Sequence, residues 1–115
     1  MLFRSIRWPV VHRTDLADAY LLALERGAPG VDYCVSSEAG VSLRQIADAI
    51  ALRTGVKVPH EIVPREQALA TECEWGEGPL LDQQMSGARI TKMLDWHPRS
   101  TDVCAFIEHD MKLSR

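Results

Sequence analysis

Two amphipathic helix patterns, each led into by a short run of β-type residues and stopped by a glycine, limit this chain more than any other feature it carries. Along the first, Leu16, Ala19, Tyr20, Ala23 and Leu24 recur at helical spacing, and Gly27 with Pro29 ends the pattern. Thr14 offers its N-cap, and Asp15 stands in the first turn, where a carboxylate meets the positive end of the helix dipole. Ahead of it Trp8 to Val11 is a short apolar run introduced by Arg7 and reads as a strand. Val31 to Val35 sets Val, Tyr and Val against Asp and Cys in alternation, a second strand, and Ser36 to Gly40 supplies a turn. Ser42 and Gln45 then form a capping box for the second helix, whose stripe is Leu43, Ile46, Ala47, Ile50 and Ala51 and whose stop is Gly55.

Beyond Gly55 the pattern loosens. Val56, Val58 and Ile62 suggest an extended segment that Pro59 restricts to an edge strand or a connecting arm. Arg65 to Glu74 has helical character, while Gly76, Gly78 and Pro79 make Trp75 to Met85 a loop. Ser86 caps a helix carrying Ile90, Met93 and Leu94 and ending at Trp96 before Pro98; Ser100 or Thr101 opens a last helix with Val103, Phe106, Ile107 and Met111 on one side. The expectation is an α/β chain, a single domain over residues 1–115, with two to three short strands and four to five helices. Its 115 residues, 46% hydrophobic and 25% charged, suffice for one core of modest stability.

A net charge of −3 provides no broad electropositive field, so neither nucleic acid nor an anionic membrane is expected as a partner, although Arg4, Arg7 and Arg13 cluster near the start. No apolar stretch approaches the roughly 20 residues that span a bilayer. Met1 to Val11 lacks a signal-peptide core, and a cytoplasmic location is expected. Cys34, Cys73 and Cys104 are odd in number without CxxC spacing, which favours reduced thiols over disulfides or a zinc site.

The common catalytic signatures are missing: no Walker loop, HExxH, GxSxG or complete GxGxxG occurs. Gly76-Glu77-Gly78 follows no strand and precedes a proline, as a loop would. His12, His60, His97 and His109 sit in separate segments at no metal-ligand spacing. Glu61, Glu66, Glu72, Glu74 and Glu77 read as a solvated acidic surface rather than as paired carboxylates for glycoside chemistry. No catalytic, cofactor-binding or metal-binding residue is therefore assigned.

The segment Trp8-Pro9-Val10-Val11-His12-Arg13-Thr14-Asp15-Leu16-Ala17-Asp18-Ala19-Tyr20 resembles the strand-then-helix segment of extended short-chain dehydrogenase/reductases of the NAD-dependent epimerase/dehydratase type. In that family a valine-rich strand, a histidine or tyrosine and a DLA-type helix start follow the catalytic half. Tyr33-Cys34-Val35-Ser36 resembles the family's next strand, Val41-Ser42-Leu43-Arg44-Gln45-Ile46-Ala47 its capped helix, and Leu94-Asp95-Trp96-His97-Pro98 the LGW.P element that closes its C-terminal region. The four motifs come in the family's order, and the likeness covers about residues 7 to 113.

The resemblance implies a C-terminal, substrate-side part: the last strands of a parallel, Rossmann-like sheet together with a helical substrate lobe. The family's Tyr-x-x-x-Lys pair and glycine-rich turn have no counterpart, since Tyr20 is followed four residues on by Leu24 and Tyr33 by Ser37. Such a chain would not be a competent oxidoreductase by itself, and NAD or NADP would enter only with a cofactor domain. By the same resemblance Arg7 and Arg65 stand where family members acting on sugar nucleotides grip a diphosphate, a task suited to the guanidinium fork, and a sugar-nucleotide-like ligand is implied. The plain alternative for each arginine is a surface salt bridge. His12 either faces the substrate cleft or packs beside Trp8, and Trp75 and Trp96 either line a pocket or cover a small core. A strand separated from its sheet neighbours exposes an edge, so a homodimer or larger assembly is expected. Two other readings stand beside a truncated family member: a non-catalytic binding or regulatory module that pairs with itself or with a complete dehydrogenase, and a piece of a longer polypeptide.

Overall fold

The computed structural model describes residues 6–56, 66, 67, 70 and 81–112. Strand β1 (Arg7–Val10) leads into helix α1 (Arg13–Arg26), and strand β2 (Glu38–Ser42) leads directly into α2 (Leu43–Thr54). Helix α3 (Ala88–Leu94) follows, and a short α4 (Val103–Ala105) widens into a π-helical turn over Phe106–Asp110. The fold class is α/β, as expected. The two strands pair antiparallel, with Arg7 opposite Ser42, Trp8 opposite Val41 and Val10 opposite Glu38. This differs from the parallel pairing that the family resemblance implied. The register shifts between Trp8 and Val10, where Pro9 has no N–H to give the ladder.

The expected strand at Val31 to Val35 is not one. Its alternation is real, with residues 31, 33 and 35 half-buried and 32 and 34 exposed. Tyr33 and Val35 pack on a cluster formed by Ala19, Ile90, Leu94 and Trp96. No described strand lies beside it, and the Asp32 carbonyl accepts instead from the Arg89 side chain at 3.0 Å. The strand that pairs is β2, in place of the turn expected over Ser36 to Gly40. Backbone and hydroxyl of Ser37 both donate to the Val10 carbonyl, at 2.9 and 3.1 Å. The Ser36 hydroxyl lies 2.8 Å from the carbonyls of both Glu38 and Met85. These serines anchor the chain to its neighbours before the first β2 residue, a tertiary effect that outweighs weak local β-propensity.

Helix ends follow the capping chemistry, with four shifts, one of which makes Gly87 rather than Ser86 the N-cap of α3. Ser42 caps α2 by accepting from the Gln45 N–H at 3.2 Å, and Gly55 closes it in the left-handed region at φ 71°. The N-cap of α1 is His12 rather than Thr14. Helix α3 stops at Leu94, short of Trp96, because Asp95 turns left-handed at φ 57°. The last helix is opened by Asp102, whose carboxylate accepts from the Ala105 N–H at 3.0 Å, instead of by Ser100 or Thr101. The expected arm over Val58 to Ile62, most of the helix over Arg65 to Glu74, and Trp75 lie outside the described residues.

Helix α1 corrects the expected stripe. Ala19 is buried and Leu22 and Ala23 pack against the cluster it belongs to, but Tyr20, Leu21 and Leu24 are exposed, Leu24 by 84%. Alanine lets α1 and α3 approach closely, and the neighbouring Tyr20 and Leu24 edge lies beyond the reach of the described elements. A second cluster joins Ile6 and Leu43 to Trp8, Ile46 and Ala47. Among the described residues no helix is long and apolar enough to cross a membrane.

Candidate functional site

A cavity of about 630 Å³ opens where β1 ends and α1 begins. Val10, Val11, His12 and Arg13 form one wall, Ser37 and Glu38 enter from the start of β2, and Ser100 with Val103, Phe106, Asp110, Met111 and Lys112 completes it. The volume lies within the range of small-molecule pockets. Its far wall is the π-turn, where the Met111 N–H donates to the Phe106 carbonyl at 2.9 Å, a widened turn of a kind that recurs at functional sites. Arg53 of α2 fixes that turn from behind, its Nε and Nη2 donating to the Met111 carbonyl at 3.2 and 2.8 Å. The Glu38 carboxylate accepts from the Val103 N–H at 2.9 Å and so ties the β2 wall to the α4 wall.

His12 is fixed on two sides. Its Nδ1 accepts from the Thr14 N–H at 3.2 Å and lies 2.7 Å from the Thr14 hydroxyl, and its ring meets Phe106 edge-on at a centroid separation of 4.9 Å. A backbone amide only donates, so Nδ1 is an acceptor and the neutral ring carries its proton on Nε2. The residue is among those that line the cavity.

Three residues into α1, Asp15 is 2% exposed and does a different task. Its carboxylate oxygens accept from the Arg99 and Ser100 N–H groups at 3.0 and 2.9 Å, and its own carbonyl accepts from Trp96 Nε1 at 2.9 Å. Trp96 is itself buried in the cluster with Ile90 and Leu94, a core residue rather than a pocket wall. The knot places Ser100 at the cavity.

Arg7 does not line the cavity. Its backbone N–H and Nε donate to Asp82 Oδ1 at 2.8 and 3.2 Å, and its Nη2 to Oδ2 at 2.9 Å. These bonds hold the Asp82 carboxyl below the usual carboxylate range and raise the Arg7 guanidinium above its own. Arg7 and His12 thus belong to separate places, and Arg65 lies outside the described residues. Spacing gave no signal for Glu38, Ser100 or Phe106, which come together only through the fold.

Burial, then the nearby Asp102 and Glu38 charges, push the half-buried Cys104 thiol upward, away from the thiolate a nucleophile needs. Cys73 and His60 lie outside the described residues. His97 pairs with Asp95 at 2.7 Å, and among the described residues no three His, Cys, Asp or Glu side chains converge on a metal position. Nor do the described starts of α1, α2 and α3 fit a dinucleotide. The start of α1 is occupied by the His12 ring and that of α2 by the Ser42 hydroxyl, while a Cβ on Gly87 ahead of α3 would fall on the Ser36 carbonyl oxygen. None of these three starts carries the glycine-rich turn that cradles a pyrophosphate.

The chain is similar to two curated proteins. An uncharacterised protein of Schizosaccharomyces pombe is 41% identical over 103 residues, 90% of this chain and 34% of that protein. A UDP-glucose 4-epimerase of Streptococcus mutans is 34% identical over 96 residues, 81% of this chain and 26% of that enzyme. The chain thus spans about a third of the first relative's length and about a quarter of the second's. The second likeness supports a relationship to epimerases of the short-chain dehydrogenase kind. No family model matches the chain.

Proposed function

We propose that this chain is the substrate-side portion of a protein of NAD-dependent epimerase/dehydratase type, receiving its ligand in the cavity beside His12. Hydride transfer would belong to a cofactor-binding portion that uses NAD or NADP. The observation that carries this reading is the Asp15 knot. Two of the four motifs that carry the family resemblance, the one containing the Asp15 helix start and the Leu94 to Pro98 element, meet in space through it, although more than 80 residues separate Asp15 from Arg99. The partial likeness to an epimerase points the same way. A sugar-nucleotide diphosphate would engage Arg7 only if that side chain left Asp82.

An exchange experiment tests this. The matching segment of the Schizosaccharomyces pombe relative is replaced by this chain, and the chimera is followed by thermal unfolding. A single cooperative transition near that of the parent is expected; a folded remainder with a separately melting insert would sink the reading.

The second reading, a non-catalytic module that pairs with itself or with a complete dehydrogenase, is favoured by the exposed Tyr20, Leu21 and Leu24 face of α1. Sedimentation of the purified chain decides its self-pairing form. That form requires a dimer that Leu24→Lys dissociates.

A further inference from the structure

We propose that the cavity beside His12 selects an uncharged ligand, an apolar skeleton bearing one carbonyl or hydroxyl oxygen, which accepts a hydrogen bond from His12 Nε2. This deepens the substrate-side reading and rests on it for the cavity's being a ligand site. Three observations lead there. First, the cap fixes the tautomer: Nδ1 is engaged by the Thr14 amide, and Nε2–H is the one donor the ring has left. Among the described residues nothing accepts from it. Second, the walls that contain His12 are apolar over much of their extent, with Val10, Val11, Val103, Phe106 and Met111 among them. Phe106 also holds the ring edge-on, so the donor has a fixed direction.

Third, the charges cancel. Arg13 and Lys112 carry two positive charges on the lining and Glu38 and Asp110 two negative ones. A diphosphate would face two carboxylates for its two cations, while a neutral molecule needs no excess of either charge. Largely apolar walls with a polar group held in a fixed direction are the usual recipe for orienting a mainly hydrocarbon ligand. A ligand so held would present its oxygen to a proton donor, which is binding and orientation; no bond changes are assigned to this chain.

The test uses the purified chain and three probes: cyclohexanone, cyclohexanecarboxylate of nearly the same shape, and a uridine-diphosphate sugar. Saturation-transfer NMR reads binding, and the His12 ring proton shifts locate it. The variant His12→Asn keeps a good N-cap but is too short to carry a donor to the ring's far edge. The expected result is saturation of cyclohexanone with movement of the His12 ring signals, weaker transfer to the carboxylate, and a loss of about tenfold in ketone affinity in His12→Asn, the order of one hydrogen bond. Unchanged thermal unfolding of the variant would show that α1 is intact. Ketone affinity equal in variant and wild type would overturn the role of His12. Preference for the carboxylate or the sugar nucleotide, or no ketone binding at all, would overturn the neutral-ligand assignment. The chimera's unfolding is indifferent to which probe binds, so failure of this proposal and failure of the substrate-side reading are told apart.

Discussion

His12 and Asp15 stand three residues apart at the start of one helix, yet the regions around them are built to different ends. Around Asp15 the buried side chain is paired: two amides meet the carboxylate, an indole N–H meets the carbonyl, and the residue is 2% exposed. Around His12 the ring is held just as firmly, but it lines a cavity, and its Nε2 has no partner among the described residues. Satisfied burial makes a region rigid, and a fixed but unmatched group beside empty space makes it receptive. The difference is in what the fold completes and what it leaves for a second molecule.

The comparison can be broken from the Asp15 side. Asp15→Ala removes the acceptor from the part-buried Arg99 and Ser100 amides and empties a buried site, and urea unfolding should record a loss of about 3 kcal/mol. Gly87→Ala comes next: its new methyl must push against the Ser36 backbone, and the expected loss is about 1–3 kcal/mol in the same assay. Trp96→Phe removes the indole N–H to Asp15 and part of a buried ring, for about 1–2 kcal/mol, seen as a shift of the unfolding midpoint.

The smallest effect sharpens the contrast with an exposed polar contact. Because Arg7 depresses the Asp82 carboxyl in the folded state, the stabilisation is present above the unfolded carboxyl's pKa and disappears as pH falls through the lower folded value. An NMR titration of Asp82 should show a lower midpoint than in Arg7→Gln. Added salt should narrow the gap, since both side chains are largely solvated. A midpoint that does not move in Arg7→Gln would refute the pairing.

Much of the local structure was legible before any coordinates. Gly27, the Ser42 and Gln45 pair and Gly55 mark helix ends because capping chemistry is local, and the alternation at Val31 to Val35 named the right inward residues. What alternation cannot tell is whether a strand has a neighbour, and there the reading failed. Ser36 to Gly40 looks like a turn by composition and becomes the entry to β2 because Val10 and Met85 supply its partners. His12 is a poor N-cap by preference, and Thr14 a good one; the ring wins because Phe106, some 94 residues on, packs against it. The cavity was the least legible part, since its lining comes from three distant stretches and only His12 had been singled out.

The Asp15 knot also bears on how the chain is made. Helix α1 is synthesised before residues 99 and 100, to which the amides that satisfy its buried carboxylate belong. Until those residues have left the ribosome, the nascent helix holds a charged group that needs water, so α1 cannot settle against its final neighbours early. Contacts this distant in sequence slow folding, because a long loop must close before any reward arrives. Trp96, which docks in the same step, gives the event a fluorescent signal, and its burial should appear late and together with protection of the α1 amides.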